Sequence, residues 1–427
     1  MELRGGYRNW LFILAFLVLF VSTTSFRVRD YADKSLDLQT GFKLAGIAVT
    51  LLLPLSAILA GRLRMSTGLL LAWLAFLLSL VACSVNSPQI SVSMTDSLAF
   101  LGCFLFCIWM AERFGETNTV SLLIVTVGLI SVMSLVTYYV SPDLGRMHAW
   151  LGSEFGTNNR IKGIVGSPNG LGSMTSIALI FTILYYNAMG PTARMLALLS
   201  APFALVCLIM SDNRMSMLTL LICVTIWLAA KGNKAVNVLV LGLAGLSLLL
   251  VFLSAPDMIL SGLSRSGDVE EIATGTGRSQ IWAVVLEMIG QKPLFGHGYA
   301  SSTFILPTDP RLFTVAAHAH NMYLEILFSG GIVAFGLFLA ALAATLYQGI
   351  RFRCFEPLIL LFFFLLRGMT EPTPFSGLPS IGGYVFFLCV AFIALRSRAA
   401  HSVEHTAAQT EAAMRLARYR ANLKPTR

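Results

Sequence analysis

Three of the chain's six histidines, His297, His318 and His320, fall in one polar interval running from Ala255 to Gly336, together with Arg265, Arg278, Lys292 and Arg311. It is the only long polar stretch in an otherwise apolar sequence. His320 is the strongest candidate for acid–base chemistry, because an imidazole with a pKa of ~6.5 can take a proton from a hydroxyl at neutral pH. Asn321 beside it could fix geometry, and Glu325, roughly one helical turn on, could orient the ring. His318 is a weaker copy, since nothing at its spacing repeats the residues that come after His320. A plainer reading makes His320 a helix cap or a headgroup contact. His297 in F-G-H-G-Y, His148, His401 and His405 have more loop-like contexts.

The cations point to a second kind of chemistry. Arg214 and Arg367 stand at the edges of apolar runs, and Arg278, in G-T-G-R-S-Q-I-W, heads an amphipathic stretch. A charge at a membrane edge is costly, which makes such arginines functional candidates. Several of them without a matching acidic cluster suit an anionic ligand, since guanidinium groups grip phosphate oxygens through paired hydrogen bonds. Each also reads as a side chain reaching for the interface or as half of an ion pair, such as Arg214 with Asp212. The sequence has no P-loop, G-x-S-x-G, H-E-x-x-H or D-x-D motif, so ATP-driven or nucleotide-sugar chemistry has no support. No metal site and no cofactor are expected. Arginines plus a histidine suit group transfer from a lipid diphosphate, with protein cations stabilising the departing phosphate.

The elements that must position these groups are membrane spans. The chain has 427 residues, of which 56% are hydrophobic and only 12% charged, about half the charge of a soluble domain. The mean hydropathy is +0.77. Runs of roughly 20 apolar residues number about twelve: 10–26, 43–61, 67–84, 95–111, 119–140, 171–189, 193–211, 214–230, 234–254, 321–347, 356–370 and 380–396. The expected fold is therefore an all-α polytopic membrane protein, one membrane domain over 1–427. It would carry one large loop at 255–320 and a basic tail at 399–427. The first run lacks a cleavage site and reads as a span. The seven cysteines show neither a disulfide framework nor zinc spacing, and Cys103 and Cys107 read as packing residues.

Basic residues set the orientation. With a cytoplasmic N-terminus, the inner segments hold 17 Lys and Arg against 6 acids, and the outer side 13 against 15, which together give the net +9. Both termini are then cytoplasmic. The short turns G-R-L-R at 61, K-G-N-K at 231 and R-F-R at 351 are all inner and basic. The positive charge is an orientation signal and argues against a nucleic-acid partner. The outer side receives 141–170, the S-D-N-R turn at 211–214, the large loop, and R367-G-M-T-E-P-T-P. Nearly all the chemistry-capable side chains thus share one compartment.

At these residues the chain resembles the O-antigen ligase/polymerase superfamily of bacterial membrane proteins. The family's His-[Asn/Ser/Gln]-x9-Gly-x4-[Gly/Thr/Tyr] motif is met by His320-Asn321, Gly331 and Gly336, and its Arg-x3-Leu motif by Arg214 and Leu218. G-T-G-R-S-Q-I-W with Arg278, K292-P-L-F-G-H-G-Y and R160-I-K-G-I-V-G-S-P-N-G-L-G are similar to family members, so the resemblance covers roughly 140–395. It implies an inverting, metal-independent glycosyl transfer on the periplasmic side of the inner membrane, with an undecaprenyl-diphosphate-linked glycan as donor. Arg214 and Arg278 would hold the diphosphate, and His320 would deprotonate or orient the acceptor hydroxyl. Asn321, Glu325, His318, Arg367 and Glu371 would support them. The implied partners are the lipid-linked donor, an acceptor glycan or lipid A-core, membrane lipid and a chain-length regulator. The Arg367–Glu371 turn and the S-P-N-G-L-G segment look more like Wzy- and ExoQ-type polysaccharide polymerases; the histidine motif is shared with WaaL-type ligases. A lipid-linked glycan transporter is a third reading, although no internal repeat relates the two halves.

Overall fold

The protein, a computed structural model, is described over residues 5–27, 37–63, 68–147, 160–231, 278–312 and 317–422. Twelve longer helices occur among them. They are α1 (Gly5–Thr23), α2 (Leu38–Leu59), α3 (Gly68–Cys83), α4 (Ile90–Phe114), α5 (Glu116–Val140), α6 (Pro168–Tyr185), α7 (Pro191–Met210), α8 (Arg214–Lys231), α9 (Arg278–Gln291), α10 (Met322–Arg351), α11 (Phe355–Arg367) and α12 (Ile381–Asn422). The two-residue strands β1 (Arg146–Met147) and β2 (Arg160–Ile161) pair antiparallel. This is an all-α polytopic membrane protein.

Nine helices among the described residues are long and apolar enough to cross a membrane, namely α2 to α8, α10 and the first part of α12. Two of the expected spans fall short of that length: α1 has a shorter apolar stretch, Asn9–Thr23, and α11 has 13 residues. The expected span at 234–254, Arg265, His148 and residues 255–277 and 313–316 of the expected loop lie outside the described residues. α12 runs without a break from Ile381 through the expected tail as far as Asn422.

The helices order themselves by what they bury. α4 and α12 are central, whereas α2, α7 and α8 leave most of their apolar surface outward, as spans at the lipid boundary do. The centre is an aromatic cluster of Trp73, Phe76, Phe100, Phe338, Phe375, Phe386 and Phe387, mostly edge to face. Trp73 satisfies its buried indole N–H by donating to Thr345 Oγ1 at 2.8 Å. A second, smaller core joins Val284 and Val285 of α9 to Leu306, Leu312, Ala319 and Phe328.

The two bundle ends carry different charge. One gathers Glu112, Glu116, Lys231, Glu356, Arg396 and Arg398 in ion pairs of 2.6–3.6 Å. All of these residues are inner by the charge alternation. The outer residues meet at the opposite end, where the helices α6, α8, α9 and α10 begin and α11 stops.

One break shapes that end. α10 is interrupted at Gly331, which has φ +62° and ψ −166°. Around the break, Ile332 and Val333 donate to the carbonyls of Pro293 and Leu294, and Phe328 and Ser329 accept from His297 and Gly298, at 2.8–3.3 Å. The P-L-F-G-H-G segment thus replaces the lost ladder bonds, as irregular backbone at membrane level requires. Met322 N–H donates to the Gly368 carbonyl at 2.7 Å, and Gly349 lies against Leu358. A straight helix from Met322 to Gly349 would be about 40 Å long, against about 15 Å from Leu358 to Gly368. Both contacts hold only because the limb before Gly331 turns sharply from the limb after it.

A Cβ at Gly331 would stand 2.4 Å from the carbonyl carbon of Leu294, which is backbone and cannot give way cheaply. Gly331→Ala is therefore expected to destabilise the protein by about 2–4 kcal/mol, from the left-handed backbone and the overlap together. Thermal unfolding in detergent measures this; an unchanged midpoint would count against the close packing of the P-L-F-G-H-G segment on Gly331.

Candidate functional site

The polar end is organised around Glu371, four residues beyond the end of α11. Its Oε1 accepts from Asn169 Nδ2 at 2.8 Å and from Arg278 Nη2 at 3.0 Å. Its Oε2 lies 3.8 Å from His320 Nδ1, an ion-pair distance longer than a hydrogen bond. Burial works to raise the Glu371 pKa, but His320, Arg367 and Arg278 overcome it and hold the carboxyl at about 2.

Asn169 is the second node. Ser167 caps α6, Pro168 occupies its first turn, and Asn169 follows with its side chain turned to tertiary bonds. Its Oδ1 accepts from Arg160 Nη2 at 2.9 Å, and its main-chain carbonyl accepts from Arg367 Nη2 at 3.0 Å and Asn213 Nδ2 at 2.9 Å. Gly172, one turn on, lets the S-D-N-R turn approach: a Cβ there would be 2.5 Å from Ser211 Oγ and 2.6 Å from Asn213 Cβ. Arg160 also donates from Nε to the Ser211 carbonyl at 2.8 Å.

Arg367 is buried, with Nε donating to Ser216 Oγ of α8 at 3.0 Å. Counted along α11 from Glu356, it lies about 17 Å from the opposite ion-pair layer, well inside a hydrocarbon thickness of ~30 Å. A buried guanidinium at that level marks a functional site by default.

His320 precedes α10 with φ +47°, a left-handed conformation that side chains disfavour. Its neighbours are tied down. Asn321 caps α10, accepting from the Tyr323 and Leu324 amides at 2.9 and 3.1 Å, and donates to the Met369 carbonyl at 3.2 Å. His318 lies two residues earlier. Burial, and then the His320 charge, lower its pKa to about 4, with Glu371 opposing. An unfolded histidine titrates at ~6.5, so between pH 6.5 and 4 the unfolded chain binds more protons. The His318 contribution to stability is then complete above pH 6.5 and is lost as pH falls toward 4. Melting midpoints should drop across that window, and His318→Gln should flatten it.

The structure brings together Arg278, His318, His320, Asn321, Arg367 and Glu371. Arg214 heads α8 beside them, with Nε donating to Asp212 Oδ1 at 3.2 Å, the ion pair that adjacency suggested. Glu325 is different. Its buried carboxylate accepts from the Ala319 amide at 2.9 Å and from Ser302 Oγ at 2.5 Å, and the carboxylate facing the His320 ring belongs to Glu371. His297 stacks on Phe328 at 4.7 Å and meets the Met288 carbonyl, a packing role. Arg311 pairs with Glu287 and Asp309 at the surface. Sequence reasoning passed over Arg160, Asn169, Asn213 and Ser216 as site residues. Three of them stand in outer-side segments and Ser216 one turn into α8, but no spacing connects them. Among the described residues no group of His, Cys, Asp and Glu forms a metal-holding cluster.

Residues 197–339 match the family model described as Wzy_C, O-Antigen ligase. The matched region contains Arg214, Arg278, His318, His320, Asn321 and Glu325. An "O-antigen ligase" of Pseudomonas aeruginosa (strain ATCC 15692 / PAO1) is 28% identical over 171 residues, which span 39% of this chain and 39% of that protein. The aligned part is thus well under half the length of that relative. Over these residues the chain is similar to the O-antigen ligase/polymerase superfamily.

Proposed function

We propose that this chain transfers a glycan from a polyprenyl-diphosphate donor to an acceptor hydroxyl, at the periplasmic face of a bacterial inner membrane. One observation carries the reading. Two of the buried polar atoms that lack a hydrogen-bond partner among the described residues, His318 Nδ1 and Arg367 Nη1, belong to this one cluster, and His320 Nδ1 beside them has only the Glu371 carboxylate at 3.8 Å. Buried polar atoms normally find partners, and an anionic diphosphate with a hydroxyl beside it would supply them. Arg278 and Arg214 hold the diphosphate in this reading, with Arg367 and Arg160 adding positive charge from the bundle side. The Glu371 carboxylate favours the proton on His320 Nδ1, leaving Nε2 to accept the proton of the acceptor hydroxyl. Attack opposite the departing diphosphate inverts the sugar centre, and no step calls for a metal ion. The recessed level of Arg367 suits a donor whose tail stays in the bilayer.

Two acceptors are open to this chemistry. The relative's name, O-antigen ligase, favours lipid A-core. The likeness of the Arg367–Glu371 turn and of S-P-N-G-L-G to Wzy- and ExoQ-type polymerases favours a second lipid-linked glycan, a case in which a chain-length regulator would be a partner. A gel of surface polysaccharide from a deletion strain separates them. Single repeats still attached, without long chains, identify a polymerase; lipid-linked polymer beside bare core identifies a ligase. Unaltered polysaccharide would contradict both.

A further inference from the structure

We infer that Trp282 and Glu325 are positioning residues that clamp the main chain of Ala319, one at its carbonyl and one at its N–H, and so hold His320 in its left-handed conformation. Both main-chain polar groups of Ala319 are taken by side chains. Its N–H donates to Glu325 Oε2 at 2.9 Å, and its carbonyl accepts from Trp282 Nε1 at 2.9 Å. Ser302 Oγ fixes the other Glu325 oxygen at 2.5 Å. Ala319, Glu325 and Ser302 are all fully buried. A buried carboxylate and an indole converging on the two main-chain polar groups of one residue is a specific arrangement, because solitary buried polar groups are costly and each here satisfies another.

The carbonyl that Trp282 holds belongs to the peptide entering His320, and the N–H that Glu325 holds belongs to the peptide before it. On the leaving side, Asn321 and Met322 bond to the carbonyls of Met369 and Gly368. The histidine therefore hangs between two anchors, one in the small core of α9 and one on the turn after α11. Strained backbone persists only where its surroundings over-determine it, and these two anchors supply that constraint. Trp282 also stands one turn from Arg278 on the same face of α9, and Arg278 bonds Glu371 at 3.0 Å. One short helix thus sets the position of an anion-binding guanidinium and of the imidazole together.

The kinetic part of this inference rests on the transfer reading; the structural part does not. The experiment uses the full-length protein in lipid nanodiscs, with W282F, E325A and E325Q. Hydrogen exchange is followed in the peptide covering Ala319 and His320, and initial rates are measured with a polyprenyl-diphosphate-linked glycan. W282F keeps the ring and loses the N–H; it should speed exchange and lower kcat, each by about tenfold, with the donor KM unchanged because Arg278 stays in place. E325A should do the same. E325Q keeps an oxygen for the Ala319 amide and should restore most of both readouts. If W282F does not fold, S302A probes the same clamp through Glu325. Wild-type exchange and kcat in W282F would overturn the clamp. E325Q as slow as E325A, with wild-type exchange, would show that charge and not positioning is what Glu325 supplies, and would overturn its part. Absence of turnover by the wild type would contradict the transfer reading, while the exchange data would still decide the clamp.

Discussion

Replacing His320 by alanine should leave an inserted, folded protein whose glycan transfer falls by about two to four orders of magnitude, the usual worth of a general base. The fold should survive because no hydrogen bond that holds the segment uses the imidazole. The anchors are the main-chain N–H and carbonyl of Ala319, the Asn321 side chain and the Met322 amide. The melting midpoint should therefore move little while product disappears from the polysaccharide gel. Normal product from His320→Ala would remove the base from the mechanism, whatever else the cluster does.

The second large effect falls on stability. Glu371 is buried, bonded to Asn169 and Arg278 and close to Arg367 and His320. Glu371→Ala strips the carboxylate from a cluster of cations and leaves Arg367 buried beside Arg278. Removing one partner from such a buried arrangement costs about 3–5 kcal/mol, so a large drop in melting temperature is expected. Glu371→Gln keeps an oxygen for Asn169 and Arg278 but not the charge, and should fall between. The acid profile carries the same sign. The folded carboxyl is held at about 2 against an ordinary value of 4.5, so its stabilisation is full above pH 4.5 and is lost as pH falls toward 2. That window begins where the His318 window ends, overlapping it only near pH 4, and should vanish in Glu371→Gln.

These effects also mark how far the sequence could be read. Hydropathy located most of the described apolar helices, and the pairs Arg396–Glu116 and Arg278–Glu371 each join residues that charge alternation had put on one side. Both signals come from the membrane itself, which imposes length and sidedness on each span separately. Glu325 shows where such reasoning stops. One turn of spacing implies contact with His320 only if the helix runs through His320, but Asn321 is the cap and His320 lies outside. The helical neighbour rule does not reach across a cap, so the ring faces Glu371, far away in sequence. Asn169 and Arg160 were hidden for a related reason: their place depends on α6 crossing the turn before α8, a close approach set by Gly172. The break at Gly331 gave only a motif glycine in the sequence; its purpose appears once Leu294 is seen against it.

The most direct test of the transfer mechanism is reconstitution of the purified chain in liposomes with a polyprenyl-diphosphate-linked glycan and a defined acceptor. A longer or core-linked glycan, with release of polyprenyl diphosphate, is expected from the wild type and none from His320→Ala or Arg278→Ala. Equal product from the wild type and His320→Ala, or donor moved across the bilayer with its glycan still attached, would contradict it.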